Sequence, residues 1–576
     1  MRRTSRFAIL AWGWSLAAIA AGAGPADGLF RLVPPDAGAT LAIEDLRTHW
    51  RQIGDAPLLA SLRKIPAVRA WLGSDRFVQL AKAGRDIEAA LGVSLATLRD
   101  ELVGDAVVLI YMPGPPDAPE QSTGLLLARP RDLALLRRLI DAWNAAQKKG
   151  GELLGVEKKN RGPLAYTSRE YKPGGRPTEY YIQLDDGTFA WSNSERLIQG
   201  VIDRKLEGRP CLKDNLEFLK VRRGLPESAV ASLYVNPKLV EAAVAGLPLP
   251  DRPAQERLLA MFARYLTAVG YAGAALEWRD GLLLHTHEAV DPAKLEPWLK
   301  GWLSRPASRP TSAREVPDSA LAVVAAHVDF EAARDVLWEL TPEDDRPRLE
   351  NLKVGLQGLL LGEDPNAEVL PRLGPGVLAY MDARPEPDGL PLFPIVGVVG
   401  WANRPGEGEL AAPIDNAFRT GLAFYAFDPR RRARHLRVES RRVGDSATTT
   451  LTDGIRTVLA YRVDRDRLVL GNGVDAISRL GATRPPTVIS GVRERYFPEV
   501  ETFAVVDLIR LCSEARRYRG PIARRLAARS RRPVNDVDRD LGQVLVMLEL
   551  FRAASSTSVA EQDASSVHRT LGLIAR

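Results

Sequence analysis

Apolar positions in this chain fall into two rhythms. Short runs alternate or stay continuously apolar over five to nine residues, as strands do, and longer runs repeat every three to four residues, as helices do. Strand runs occupy 40–43, 104–112, 124–128, 185–193, 274–278 and 282–287, the last two meeting at Asp280-Gly281 as a hairpin. Others occupy 321–326, 374–381, 395–399 and 464–472, with helical spacing at 133–146, 254–267 and 541–553. Residues 58–72 read as an amphipathic surface helix. The pattern predicts an α+β class, with helices packed on largely antiparallel sheets.

The same order of features is written twice. Val33-Pro34-Pro35-Asp36-Ala37 opens the first series and Val316-Pro317-Asp318-Ser319-Ala320 the second. Gly104 to Met112 is answered by Gly374 to Met381, and a proline-rich loop and another apolar strand follow each. The run Asp185 to Asn193 lines up with Asp464 to Asn472, and Trp278 to His285 lines up with Glu561 to His568. Residues 304–313, rich in Ser, Pro and Ala, read as a linker. The expected organisation is two similar halves, 30–303 and 314–576, in which Val107 matches Val377, Phe189 matches Leu468 and His285 matches His568. A length of 576 residues suits two domains better than one.

The opening Val-Pro-Pro-Asp-Ala, the Leu-Val-Gly-Asp-Ala-Val-Val-Leu strand from Leu102 to Leu109 and the Phe-Ala-Trp-Ser-Asn strand from Phe189 to Asn193 resemble an uncharacterised family of exported bacterial proteins, a domain of unknown function. The likeness spans most of 30–576. It implies export and a duplicated α+β architecture, and carries no activity, cofactor or catalytic residue.

The N-terminus is consistent with export. Arg2, Arg3 and Arg6 precede a largely apolar run at 7–21, and Ala21-Gly22-Ala23 fits a small-residue cleavage site. This reads as a secretory signal over 1–23, placing the protein in the periplasm or cell envelope. The alternative is an uncleaved N-terminal membrane anchor, for which the run falls short of the usual ~20 apolar residues. The net charge of +7 owes three units to those arginines, and residues 314–576 balance 37 basic against 37 acidic side chains. No basic face survives that division, so nucleic acid is not an expected partner. With one cysteine in each half, Cys211 and Cys512 admit one bridge, although they do not sit at equivalent points of the repeat and two separate buried thiols are expected.

Four chemical signals stand out. Ser61-Leu-Arg-Lys64 is an S-x-x-K, which at a helix start lets lysine activate a serine nucleophile. His285-Thr-His287 places two imidazoles on one face of a strand, the spacing for a shared metal, with His49 or Asp280 as third ligand. Gly471-Asn-Gly473 follows a strand and precedes a helix, as in a dinucleotide loop, though a strand-to-helix turn explains it better. Arginines crowd 430–442 and 510–532, the second cluster offering Arg516, Arg517, Arg524, Arg525, Arg531 and Arg532 to an anionic polymer or lipid. Each has a structural explanation at least as good. The expected role is therefore non-catalytic binding or structure, without cofactor or metal. The alternatives are a hydrolase on Ser61/Lys64, a metal enzyme on His285/His287 and a carrier of anionic lipid or polymer. Asp45, Asn236, Asp329 and Asp507 each end an apolar run before a helical pattern, and are expected to cap helices.

Overall fold

A computed structural model describes residues 24–115, 118–174, 176–239, 253–303, 315–384, 393–403, 408–427, 435–443, 446–454, 456–481, 487–496, 502–561 and 563–576. The signal segment and linker named above lie outside the described residues. The rest divides into two compact units. The described residues of 24–239, 269–279 and 284–289 form the first. The described residues of 253–268, 280–283 and 290–576 form the second. Helix Pro253–Ala268 thus groups with the second unit although the repeat pattern assigns it to the first half.

In unit 1 the strands are β1 (Ala39–Glu44), β2 (Ala106–Met112), β3 (Thr123–Ala128), β4 (Leu153–Arg161), β5 (Leu164–Tyr171), β6 (Glu179–Gln183), β7 (Phe189–Ser192), β8 (Ala229–Val235) and β9 (Val269–Trp278), together with residues 284–289 of β10 (Gly281–Val290). Antiparallel pairing gives the order β4-β5-β6-β7-β3-β2-β1-β8-β9, and β9 turns back through Arg279 and Asp280 into β10. Between β1 and β2 lie α1 (Leu46–Gly54), α2 (Pro57–Leu62), α3 (Pro66–Leu72), α4 (Asp75–Leu91) and α5 (Leu95–Leu102). The helix expected at 58–72 is split because Pro66 starts a new one. After these come α6 (Leu133–Lys149), α7 (Glu195–Glu207) and α8 (Leu216–Gly224). On one sheet face Phe218 of α8 packs its ring edge against Phe30, Tyr234 and Tyr271, with centroids 4.9–5.8 Å apart. Small residues such as Ala42, Ala106 and Ala275 let the aromatic cluster close on the strands.

Unit 2 holds β11 (Ala320–His327), β12 (Leu373–Asp382), β13 (Ile395–Trp401), β14 (Arg437–Val443), β15 (Ser446–Thr452), β16 (Thr457–Val463), β17 (Arg467–Gly471), β18 (Phe503–Asp507), β19 (Phe551–Ala560) and β20 (Ser566–Ala575). Their antiparallel order is β14-β15-β16-β17-β13-β12-β11-β18-β19-β20. The helices used below are α9 (Phe330–Leu340), α10 (Arg346–Leu359), α11 (Ala411–Phe427), α12 (Val474–Ser478), α13 (Leu508–Arg517), α14 (Arg519–Ser530) and α15 (Val534–Leu548). The helical pattern at 541–553 ends early, because burial alternates from Phe551 onward and those residues pair as β19. Val107 faces Ile43 and Ala128 in its sheet, and Val377 faces Ala326 and Val399 in its own. Phe189 faces Ala128, and Leu468 faces Val399.

Three of the four expected caps are present. Asn236 Oδ1 accepts from Lys238 N at 3.1 Å, Asp329 Oδ1 from Ala332 N at 2.9 Å and Asp507 Oδ1 from Arg510 N at 3.0 Å. Asp45 does not cap α1. Its backbone is left-handed, at φ 46° and ψ 42°, whereas a capping side chain needs an extended backbone to reach the first-turn amides.

Candidate functional site

Residues 285 and 287 share the inward side of β10, yet they are bound to different partners. His285 Nε2 lies 3.0 Å from Glu277 Oε2, and Ser228 Oγ donates to Glu277 Oε1 at 2.6 Å. The hydrogen bond from His285, reinforced by Ser228, holds the Glu277 carboxyl below its usual range against the opposing effect of burial. His287 is buried, and its Nδ1 lies 3.2 Å from the Val221 carbonyl in α8, to which it donates. The ring occupies the space left by Gly224, where a Cβ would stand 1.6 Å from Nδ1. Among the described residues no three His, Cys, Asp or Glu side chains converge as ligands for a metal ion.

Ser228, Glu277 and His285 contain the residue types of a hydrolytic triad in the wrong order. Nucleophile activation needs a serine bonded to the imidazole, with the acid behind it. Here the carboxylate stands between them and takes both hydrogen bonds. Sequence reading missed Ser228 and Glu277; a glutamate inside the alternating strand 272–278 was the available signal.

Ser61 lies in the last turn of α2, and Lys64 is exposed in the turn beyond it. An S-x-x-K nucleophile belongs at a helix start. The glycine turn is held by the strands. Gly471 packs where a Cβ would meet the Ile395 carbonyl at 2.6 Å, and Asn472 Oδ1 accepts from Ile395 N at 2.7 Å. In unit 1 Asn193 Oδ1 accepts from Gly124 N at 2.8 Å. The helix that follows Gly473, α12, has five residues.

Of the arginines near α13–α15, Arg516 pairs with Glu549 at 2.6 Å, Arg532 with Asp540 at 2.7 Å and Arg517 with Glu514 at 4.0 Å. Arg524, Arg525 and Arg531 are exposed, with no acidic partner within 4.0 Å among the described residues. The described part of the 430–442 cluster is largely β14, whose Arg437 and Arg441 stand opposite Thr452 and Thr448. Charge on such an outer strand discourages pairing with other chains. Cys211 and Cys512 are buried free thiols, and burial raises the pKa of each.

A groove in unit 1 was not legible beforehand. β5 and β6 pair only from Thr167–Tyr181 to Arg169–Glu179 and diverge beyond. The space of about 680 Å³ is lined by Leu136 and Ile140 of α6, Tyr166 and Thr167 of β5, and Tyr181 and Gln183 of β6. Arg137, Asp141 and Lys158 lie exposed along it. This volume lies within the range of about 300–1,000 Å³ typical of small-molecule sites.

A second cluster close by surrounds a buried cation. Arg169 is fully buried, with Nε donating to Asn144 Oδ1 at 2.9 Å and further bonds to Glu179 and Gln147. Its guanidinium lies 4.8 Å from the Trp191 ring centre and 5.0 Å from that of Trp143. The Tyr171 hydroxyl donates to Glu179 at 2.7 Å, and its pKa is pushed up to about 12 by burial and that bond.

No family profile, curated protein or solved structure matches the chain. Among the described residues no helix is long and apolar enough to cross a membrane.

Proposed function

We propose that this is an exported, non-catalytic protein made of two copies of one α+β domain, with a binding or structural role. Duplication is supported by the strand orders: in each unit the first strand lies between the second and the eighth, and a meander of four strands follows the third. It is supported too by the matched register of Val107 with Val377 and Phe189 with Leu468. Export and kinship with the uncharacterised exported family rest on the sequence of 1–23 and the motifs described above.

The observation that carries the non-catalytic reading is the way the reactive side chains are held. Glu277 lies between Ser228 and His285, while His287 is bonded to a backbone carbonyl. The groove between β5 and β6 is the place for a ligand in this reading. Treatment of the exported protein with a serine-reactive fluorophosphonate, alongside elemental analysis, tests it. Neither labelling nor stoichiometric metal is expected; covalent label on Ser61 or one zinc per chain would overturn it. A second reading, a binder of soluble polyanions, is favoured by the exposed Arg524, Arg525 and Arg531, which have no acidic partner among the described residues, and predicts salt-sensitive retention on heparin that neutralising them abolishes.

A further inference from the structure

Helices α2, α3 and α4 have almost no interior of their own. Across 55–92, only Leu58, Ile65 and Gly84 are buried among the described side chains. The stretch 56–74 contains Arg63, Lys64 and Arg69 and no acidic residue. These three cations and Arg76 are exposed, with no carboxylate within 4.0 Å among the described residues. Elsewhere in the unit, Arg131, Arg161 and Lys213 are held by Asp105, Asp203 and Asp27 at 2.7–3.0 Å. Arg69 Nη2 donates to the Lys64 carbonyl at 2.8 Å, which draws the cations to the corner between α2 and α3.

Apolar surface lies beside this charge. Trp71 is 59% exposed, and its ring centre lies 5.0 Å from that of Phe77. Ser74 fixes the connection, donating to the Trp71 carbonyl at 2.6 Å and accepting from Phe77 N at 3.4 Å. Along α4 the spacing of Arg76, Leu80, Ala83 and Ile87 puts them on one side, with Leu80 68% exposed.

We propose that this corner docks the protein on an anionic lipid bilayer, with Arg63, Lys64, Arg69 and Arg76 at the lipid phosphates and Trp71 and Leu80 in the headgroup layer. Indole rings favour that layer, and cationic side chains reach out of it to the phosphates. A soluble polyanion would engage the same cations but leave Trp71 and Leu80 in water, so the apolar half of the patch selects a bilayer. Lys64 of the S-x-x-K gains a role that needs no chemistry at Ser61. This surface is distinct from the arginines of α14, and its failure would leave the non-catalytic reading intact.

The test is co-sedimentation of the full chain with phosphatidylcholine vesicles, with and without phosphatidylglycerol. Arg2, Arg3, Arg6 and the apolar run at 7–21 are common to the wild type and every variant, so differences between them report the corner. The wild type should bind the anionic vesicles more tightly and lose the excess in high salt. R63Q/K64Q/R69Q should weaken the anionic component about a hundredfold, at roughly a factor of five per cation. W71A should weaken it several-fold with its salt dependence unchanged, and R524Q/R525Q/R531Q should leave it as it was. Excess glycerol phosphate should not compete. Equal binding to both vesicles, loss that follows the α14 variant instead, or competition by glycerol phosphate would overturn the proposal.

Discussion

Replacing Gly224 with alanine opposes two effects of different size. Gly224 ends α8 outside the left-handed region, so helix propensity alone makes alanine better by about 0.5–1 kcal/mol. The new Cβ, however, would stand 1.6 Å from His287 Nδ1 and 1.9 Å from Cε1. The buried ring must move, which breaks its bond to the Val221 carbonyl. Overpacking costs about 1–3 kcal/mol, and leaving that polar pair unmatched costs about as much again. The expected net effect of G224A is a loss of about 2–4 kcal/mol, the reverse of the propensity effect. H287A removes the obstacle, so G224A/H287A should be less destabilised than the two single losses combined by at least ~1 kcal/mol. Hydrogen exchange of α8 amides reads this locally, with the urea midpoint as a second measure. Faster exchange in G224A that the double variant largely reverses is expected. A more protected α8 in G224A, or strictly additive variants, would refute the clash.

Further outcomes follow from the described contacts. D329A and D507A should each lose about 1 kcal/mol through an uncapped helix, whereas D45A should change little; thermal melts compare them. R169M should lose about 3 kcal/mol by leaving the partly buried Glu179 without its cation, and R169K should not restore it, because lysine lacks the planar fork; urea midpoints decide both. Hydrogen bonding from Arg161 holds the Asp203 carboxyl below the usual aspartate value of 3.8. Its contribution is full above that value and fades as pH falls through the depressed one, so D203N should flatten the acid limb of a stability-versus-pH profile.

The central strands were legible because one face is buried and alternation is strong, as in β1, whose burial alternates without interruption. β4 was not: Glu157, Lys158, Asn160 and Arg161 put polar side chains on both faces, leaving almost no period of two to read. The Asp45 cap failed because the four motifs look alike in sequence, and backbone conformation separates them. His285 and His287 were found, but their partners lie 8 and 66 residues away, beyond local pattern. Arg169 left no signal, since an arginine in a strand reads as solvent-facing until the rings around it are placed. The groove depends on where two strands cease to pair, a property of register rather than composition.

The cage around Arg169 also makes unit 1 optically distinctive. Trp143 and Trp191 are stacked at 5.2 Å with their planes 17° apart, one carried by α6 and the other by β7. Indoles so close share their excited states, and the handedness of the stack gives the pair a near-ultraviolet dichroic signature that isolated tryptophans lack. That signature requires both elements to be docked, whereas far-ultraviolet dichroism persists if they merely remain helix and strand. A W143F chain supplies the blank. The difference between the two spectra would register the moment α6 leaves the sheet, which the bulk signal from eleven tryptophans would otherwise hide.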